Sequence, residues 1–271
     1  MNDYLGELTR TLLNPGYDPE LFCPAPKTFI SEDKKAILFI GMNPAGDKED
    51  AKRDYATGGL FLNYYEEFDK LSKEFAKPKQ KSKGLIYKTY YNPILNFFKE
   101  ATGEDIAWEW CNYNFDDLLA IIKRVNNDVS DKDIRILKDC FDKYNNSACQ
   151  IIVRDLVYYH QTKDFNTIIK SAEDDEVKKN IKTVFDSYIK MFPKTDMLKL
   201  IYVSTATSCK YIENVLLSSG CRPNDFGIYE YQYNGMIIPV VLAGRPLNGP
   251  GVIDKYSKRR LLGTVKTVIN S

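Results

Sequence analysis

Lys35-Ala36-Ile37-Leu38-Phe39-Ile40-Gly41, running on into Met42-Asn43-Pro44-Ala45-Gly46-Asp47, is the stretch of this chain that decides its fold. A compact apolar run, entered from a charged turn and closed by glycine, predicts a buried β-strand. The residues after it form a charged, glycine-containing loop, Met42 to Gly59. Further along, Leu198–Ser204 is a second apolar strand, followed by a predicted helix at Ser208–Ser218. Phe226–Tyr233 and Met236–Ala243 flank Asn234-Gly235, a strong hairpin signal between two β-prone runs. Ile106–Asn112, with Trp108 and Trp110, is a further strand candidate.

Between these strands lie helical patterns at Tyr4–Leu13, Phe61–Phe75, Pro93–Ala101, Phe115–Val125, Asp131–Tyr144, Asp174–Phe192 and Asp254–Val268. Strands alternating with helices predict an α/β fold, a central mostly parallel sheet flanked by helices. The whole chain, residues 1–271, reads as one α/β domain. The stretch Phe115–Phe192 is mostly helical and charged, and reads as an insertion or cap in the middle of it.

Composition narrows the function classes. The apolar runs are too short to span a bilayer, and the first residues lack the basic-then-apolar pattern of an export signal, so a cytoplasmic chain with no membrane partner is expected. The six cysteines include no C-x-x-C pair, which is poor zinc or iron–sulfur grammar, and free thiols are expected. No metal and no cofactor is expected. The net charge of +1 gives no support to a strongly basic nucleic-acid binder. Charge is nevertheless local: five lysines lie between Lys73 and Lys83, and residues 255–260 read KYSKRR. Asp47, Glu49, Asp50 and Asp54 read as a hydrated acidic loop in preference to a divalent-metal site, because nothing fixes ligand geometry, and the lone histidine, His160, reads as a structural residue.

In open α/β sheets ligands sit beyond the carboxyl ends of the strands. Two loops leave strands there with unusual polar content: Gly41-Met42-Asn43-Pro44-Ala45-Gly46 and Gly244-Arg245-Pro246-Leu247-Asn248-Gly249-Pro250-Gly251. Either alone is ordinary turn chemistry. Together, in this order and with a final helix after the second, they resemble the two motifs of the uracil-DNA glycosylase superfamily. The first is similar to the G-[MI]-N-P-G of its single-strand-selective and mismatch-specific branches. The second stands where the superfamily commonly carries H-P-S-P or N-P-S; here the histidine is replaced by Arg245 and the serine is absent.

The resemblance implies base excision: a nucleotide is flipped out and its N-glycosidic bond hydrolysed, without a cofactor and with DNA, single- or double-stranded, as partner. It implies that Asn43 positions the attacking water, with Gly41, Met42 and Pro44 shaping the pocket. Phe61 or Tyr64 would stack on the base. Asn112 or Asn114, after the second strand candidate, would read its Watson–Crick edge. Arg245 or Asn248 would stabilise the departing base, or Arg245 would grip phosphate, and Lys258, Arg259 and Arg260 would hold DNA phosphates. The alternative is a catalytically degenerate glycosylase-fold module that binds nucleic acid or a nucleotide without cleaving it. An unrelated nucleotide-binding enzyme is disfavoured, because neither GxxxxGK[ST] nor GxGxxG is present.

Overall fold

In the computed structural model, the described residues are 2–43, 46–56, 92–125, 146–160, 165–245, 247 and 253–270, with isolated positions between 130 and 142. Six strands form one sheet: β1 (Lys35–Gly41), β2 (Ile106–Trp108), β3 (Cys149–Asp155), β4 (Leu198–Val203), β5 (Ile228–Tyr233) and β6 (Met236–Leu242). Their order is β2-β3-β1-β4-β6-β5. All neighbours are parallel except β5 and β6. The longer described helices are α1 (Asn2–Leu12), α2 (Lys48–Ala56), α3 (Asn92–Thr102), α4 (Phe115–Val125), α5 (Asp175–Lys190), α6 (Ala206–Ser218) and α7 (Lys255–Asn270). The expected α/β architecture with a mostly parallel, helix-flanked sheet is therefore the observed one. No described helix is long and apolar enough to cross a membrane.

The strand that decides the reading lies at the centre. Every residue of β1 after Lys35 is buried, because β3 and β4 flank it and helices cover both faces. Ala36, Leu38 and Ile40 face the core beneath α1, α5 and α6, with Leu12, Ile181 and Ile212. Ile37 and Phe39 face the opposite core beneath α3, α4 and α7, with Phe98, Leu118 and Val265. There Phe39 stacks on Tyr202 at 5.4 Å, and Phe98 meets Tyr202 edge-on at 5.2 Å. Each fully buried side chain of this size contributes roughly 1.5–3 kcal/mol.

Local chemistry starts and stops these elements. Asp174 caps α5, its carboxylate accepting from the backbone N–H groups of Glu176 and Val177. Thr205 and Ser208 form a reciprocal capping box on α6. The Asn234-Gly235 hairpin joins β5 to β6 as expected, with φ of 48° and 81° at the two turn residues, both in the left-handed region that a type I′ turn requires.

The segment read as a helical insertion is corrected by β3. Residues 149–155 pair with β1 along its whole length, from Lys35↔Cys149 to Gly41↔Asp155. The middle of the chain thus supplies a central strand, with helices on either side of it. Pattern reading missed the strand because three of its seven positions, Gln150, Arg154 and Asp155, are polar yet buried. Gln150 donates to the carbonyls of Ser31 and Lys34. Arg154 pairs with Glu109, both side chains almost wholly buried, and its guanidinium also donates to Thr28 Oγ1 at 3.1 Å and to the Val153 carbonyl at 2.6 Å. The second strand candidate, 106–112, is shorter than expected: β2 ends at Trp108 and a 3-10 turn follows.

Breaking the buried Arg154–Glu109 pair from one side leaves a desolvated charge. Glu109→Gln is expected to lower stability by about 3–5 kcal/mol in denaturant unfolding, whereas breaking an exposed pair such as Lys52–Glu49 leaves it nearly unchanged.

Candidate active site at the carboxyl edge of the sheet

β1 is the pivot of the topology: the chain adds β2 and β3 on one side of it, then crosses to add β4, β6 and β5 on the other. Such a reversal opens a crevice beyond the carboxyl ends of the strands. At this edge the β1–β3 ladder continues into the loops, with Leu156 N–H donating to the Gly41 carbonyl at 3.3 Å and Val157 N–H to Met42 at 2.9 Å. On the other flank Ser204 closes onto β1, donating to the Ile40 carbonyl through its N–H at 3.0 Å and its hydroxyl at 3.2 Å. Because β1, β4 and β6 run parallel in one sheet, the loops after β1 and β6 open on the same edge, as the sequence reading requires.

Gly41 stands opposite Asp155 in this register, and a Cβ on residue 41 would run into Asp155 Oδ1. Glycine here makes room for a carboxylate. That carboxylate is buried, and among the described residues no hydrogen bond reaches its side-chain oxygens; its backbone carbonyl accepts from the Tyr188 hydroxyl. Burial pushes the Asp155 carboxyl up to about 7, against the opposing pull of His160 and Arg154.

Asn43 is half-buried, and its amide donates to the Tyr159 carbonyl at 3.1 Å, which fixes the plane of the side chain. Beyond it, residues 21–23 run antiparallel to residues 158–160. Phe22 bridges Tyr159, Cys23 N–H donates to the Tyr158 carbonyl at 3.2 Å, and His160 N–H donates to Leu21 at 2.8 Å. Alternation along this short ladder puts Cys23 and His160 on the same side, as diagonal neighbours. His160 Nε2 lies 2.6 Å from Asp54 Oδ2, with both side chains buried.

The acidic loop is corrected by this contact. Asp47 and Asp50 form a reciprocal cap at the start of α2, with Asp47 Oδ1 accepting from Glu49 and Asp50 N–H and Asp50 Oδ2 accepting from Asp47 N–H at 2.9 Å. Asp54, one turn further, points inward to His160 instead of to water.

Arg245 is exposed at the end of β6, and it lines a groove of 520 Å³ between that strand and α7. Arg260, Ser257 and Phe226 line it too; Lys258 and Arg259 do not. Neither Arg245 nor Arg260 forms an ion pair among the described residues. Asp254 is occupied in capping α7, accepting from Tyr256 N–H at 2.9 Å and Ser257 N–H at 3.0 Å. Asn43 is not part of this groove. One strand, β4, separates β1 from β6, so the two loops leave the sheet about 10 Å apart.

The two asparagines expected to read a base lie elsewhere. Asn112 sits at the opposite, amino edge of the sheet, because β2 stops level with Ile151. Its amide donates to the Phe29 carbonyl and to Gln150 Oε1 and accepts from Lys34 Nζ, each at 2.9 Å. Asn114 caps α4, accepting from Asp116 N–H at 2.9 Å and Asp117 N–H at 3.1 Å. Pro44, Phe61, Tyr64, Pro246 and Asn248, the helix read at 61–75 and most of that at 131–144 lie outside the described residues. Asp155 and the Cys23–Asp54–His160 group were not singled out as site residues. The available signals were an aspartate ending an apolar run and the chain's single histidine five residues later.

No protein-family model matches this chain, and the search of curated proteins likewise finds no match.

Asp155 makes stability depend on pH with a known sign. Its folded-state value lies above the ordinary carboxylate value of 3.8, so the native state binds the proton more tightly than the unfolded chain does. Stability therefore falls as pH rises from about 4 to about 7 and then levels. Asp155→Asn is expected to be more stable than the parent at pH 8 and to lose that advantage below about pH 4, measured by urea unfolding across pH. An advantage that is constant with pH would show that Asp155 is not the titrating group.

Proposed function

We propose that the chain is a DNA glycosylase-like hydrolase that removes uracil or another modified base by cleaving its N-glycosidic bond. One observation carries this reading: the loops after β1 and β6 open on one edge, and the first holds Asn43 two residues past Gly41, whose partner in the neighbouring strand is the buried Asp155. The transition state of glycosidic cleavage separates charge between an oxocarbenium-like sugar and a departing base anion, so the site must orient a weak nucleophile and favour that separation. Asn43, its amide plane held by Tyr159, orients the water. Asp155 in its neutral form offers one donor and one acceptor and takes over the base-reading role first sought at Asn112 or Asn114. The resemblance supports the reaction class, and the shared edge supports the placement of the two loops.

Arg245 belongs with phosphate in this reading. It is exposed, it lines a groove with Arg260, and it leaves the sheet two strands from Asn43. A permanently charged fork of donors suits a phosphate better than a leaving base held at that distance. The same observation favours a second reading, a module that binds nucleic acid without cleaving it, because the second loop then serves for grip alone.

A panel of oligonucleotides, each carrying one modified base, followed by alkaline cleavage on a gel, separates the two. The hydrolase releases at least one base, and Asn43→Ala lowers that rate by about 100- to 1,000-fold while leaving DNA affinity nearly unchanged. DNA binding with no base released from any substrate leaves the binding module. Full activity in Asn43→Ala would overturn the role given to Asn43.

The groove makes its own prediction. Arg245→Ala and Arg260→Ala are each expected to weaken DNA binding at all sequences about equally and to reduce the slope of log affinity against log salt by about 1. Binding that does not respond to salt would contradict a phosphate role for the groove.

A further inference from the structure

The Cys23–Asp54–His160 group is not used by the chemistry above, and it sits directly behind the first loop. A thiol, a carboxylate and an imidazole converge there, all buried, with one donor atom of each lying within 4.8 Å of the others. They come from three separate segments. Cys23 precedes β1, Asp54 lies on α2 after the loop, and His160 follows β3. Two features bring them together. The 21–23/158–160 ladder sets Cys23 beside His160, and α2 turns Asp54 inward onto the imidazole. Gly46 completes the enclosure: a Cβ at that position would come within 2.5 Å of His160 Nδ1, so the bare backbone is what allows the loop to close over the ring.

We propose that Cys23, Asp54 and His160 form a binding site for a divalent transition-metal ion of the zinc class. A mixed set of sulfur, nitrogen and oxygen donors suits zinc and cobalt and does not suit magnesium or calcium, which take oxygen. Three protein ligands leave the fourth position of a tetrahedral ion for water. The imidazole and carboxylate need little adjustment to accept the ion. His160 Nε2 and Asp54 Oδ2 share a hydrogen bond at 2.6 Å, and two such ligands on one zinc stand roughly 3.3 Å apart, so the pair opens by less than about 1 Å. The ion binds as Cys23 gives up its thiol proton to solvent, and affinity rises with pH for that reason. Because the ligands flank residues 41–46 on both sides, the ion ties the segment before β1, the β3 extension and α2 into one support for Asn43. The wide separation of positions 23, 54 and 160 in the chain is why cysteine spacing gave no hint of it.

The test uses the full chain, stripped with a chelator and titrated with Co²⁺ at pH 8. Expected are one equivalent bound, the intense visible bands of tetrahedral cobalt with a thiolate charge-transfer band, displacement of cobalt by Zn²⁺, and a higher melting temperature with either ion. Cys23→Ser removes the charge-transfer band, and His160→Gln or Asp54→Asn weakens binding by about 100-fold or more. X-ray absorption on the zinc-loaded parent protein covers the case in which a variant fails to fold. It should show one sulfur at about 2.3 Å and the remaining ligands at about 2.0–2.2 Å. A folded parent protein that shows neither cobalt bands nor a thermal shift would overturn the proposal, as would a sulfur-free shell or a charge-transfer band that survives in Cys23→Ser. None of these readouts involves base release, so the metal site and the glycosylase reading stand or fall separately.

Discussion

The close approach of Gly41 to Asp155 is the constraint on which the rest of the edge depends. β1 and β3 pair without a break over seven residues, so the last pair is forced: the end of one strand must admit the carboxyl group that ends the other. A side chain at position 41 would displace that carboxyl, and beyond this pair the backbone ladder continues through Leu156 and Val157. The same ladder carries the chain to Tyr159, which holds the Asn43 amide, and to His160, which meets Asp54. One register therefore positions an amide, a carboxyl and an imidazole from two strand ends.

The edge divides into two halves of different character. Around β1 and β3 the polar groups are buried or half-buried and few, so each acts in a medium of low dielectric, where a fixed dipole or a proton has a large effect. Beyond β6 the groups are arginines at the rim of an open groove, where water screens them. Under the proposed function, the buried groups would read a base and the exposed arginines would hold the backbone. The small net charge of the chain is compatible with this, because the useful charge is local.

Much of this was legible in the sequence, and the failures have physical causes. β1, β4 and the hairpin announced themselves through apolar runs and Asn234-Gly235, and the shared edge followed from the alternation of strands and helices. β3 was hidden because Gln150 and Arg154 break its apolar pattern; their partners, the 31–34 backbone and Glu109, are remote in sequence and invisible to local periodicity. Asn112 was misplaced because nothing in the sequence says that β2 stops after three residues, which leaves its end at the wrong edge of the sheet. Asp54 looked like one more solvated acid in a run of four. Only the fold brings His160 to it. The groove of Arg245 and Arg260 was half visible: both residues were named, but the helix face that selects Arg260 over Lys258 and Arg259 is a property of packing against β6.

Hydrogen–deuterium exchange in the presence of a short single-stranded oligonucleotide tests the central claim, that the two loops face one ligand at the carboxyl edge. Binding should protect residues 41–43, 155–160 and 243–245 together, along with the first turns of α7, and should leave the amino edge around Asn112 unchanged. Protection confined to the region of Asn112 and Lys34, or none anywhere at an oligonucleotide concentration that saturates binding, would contradict it.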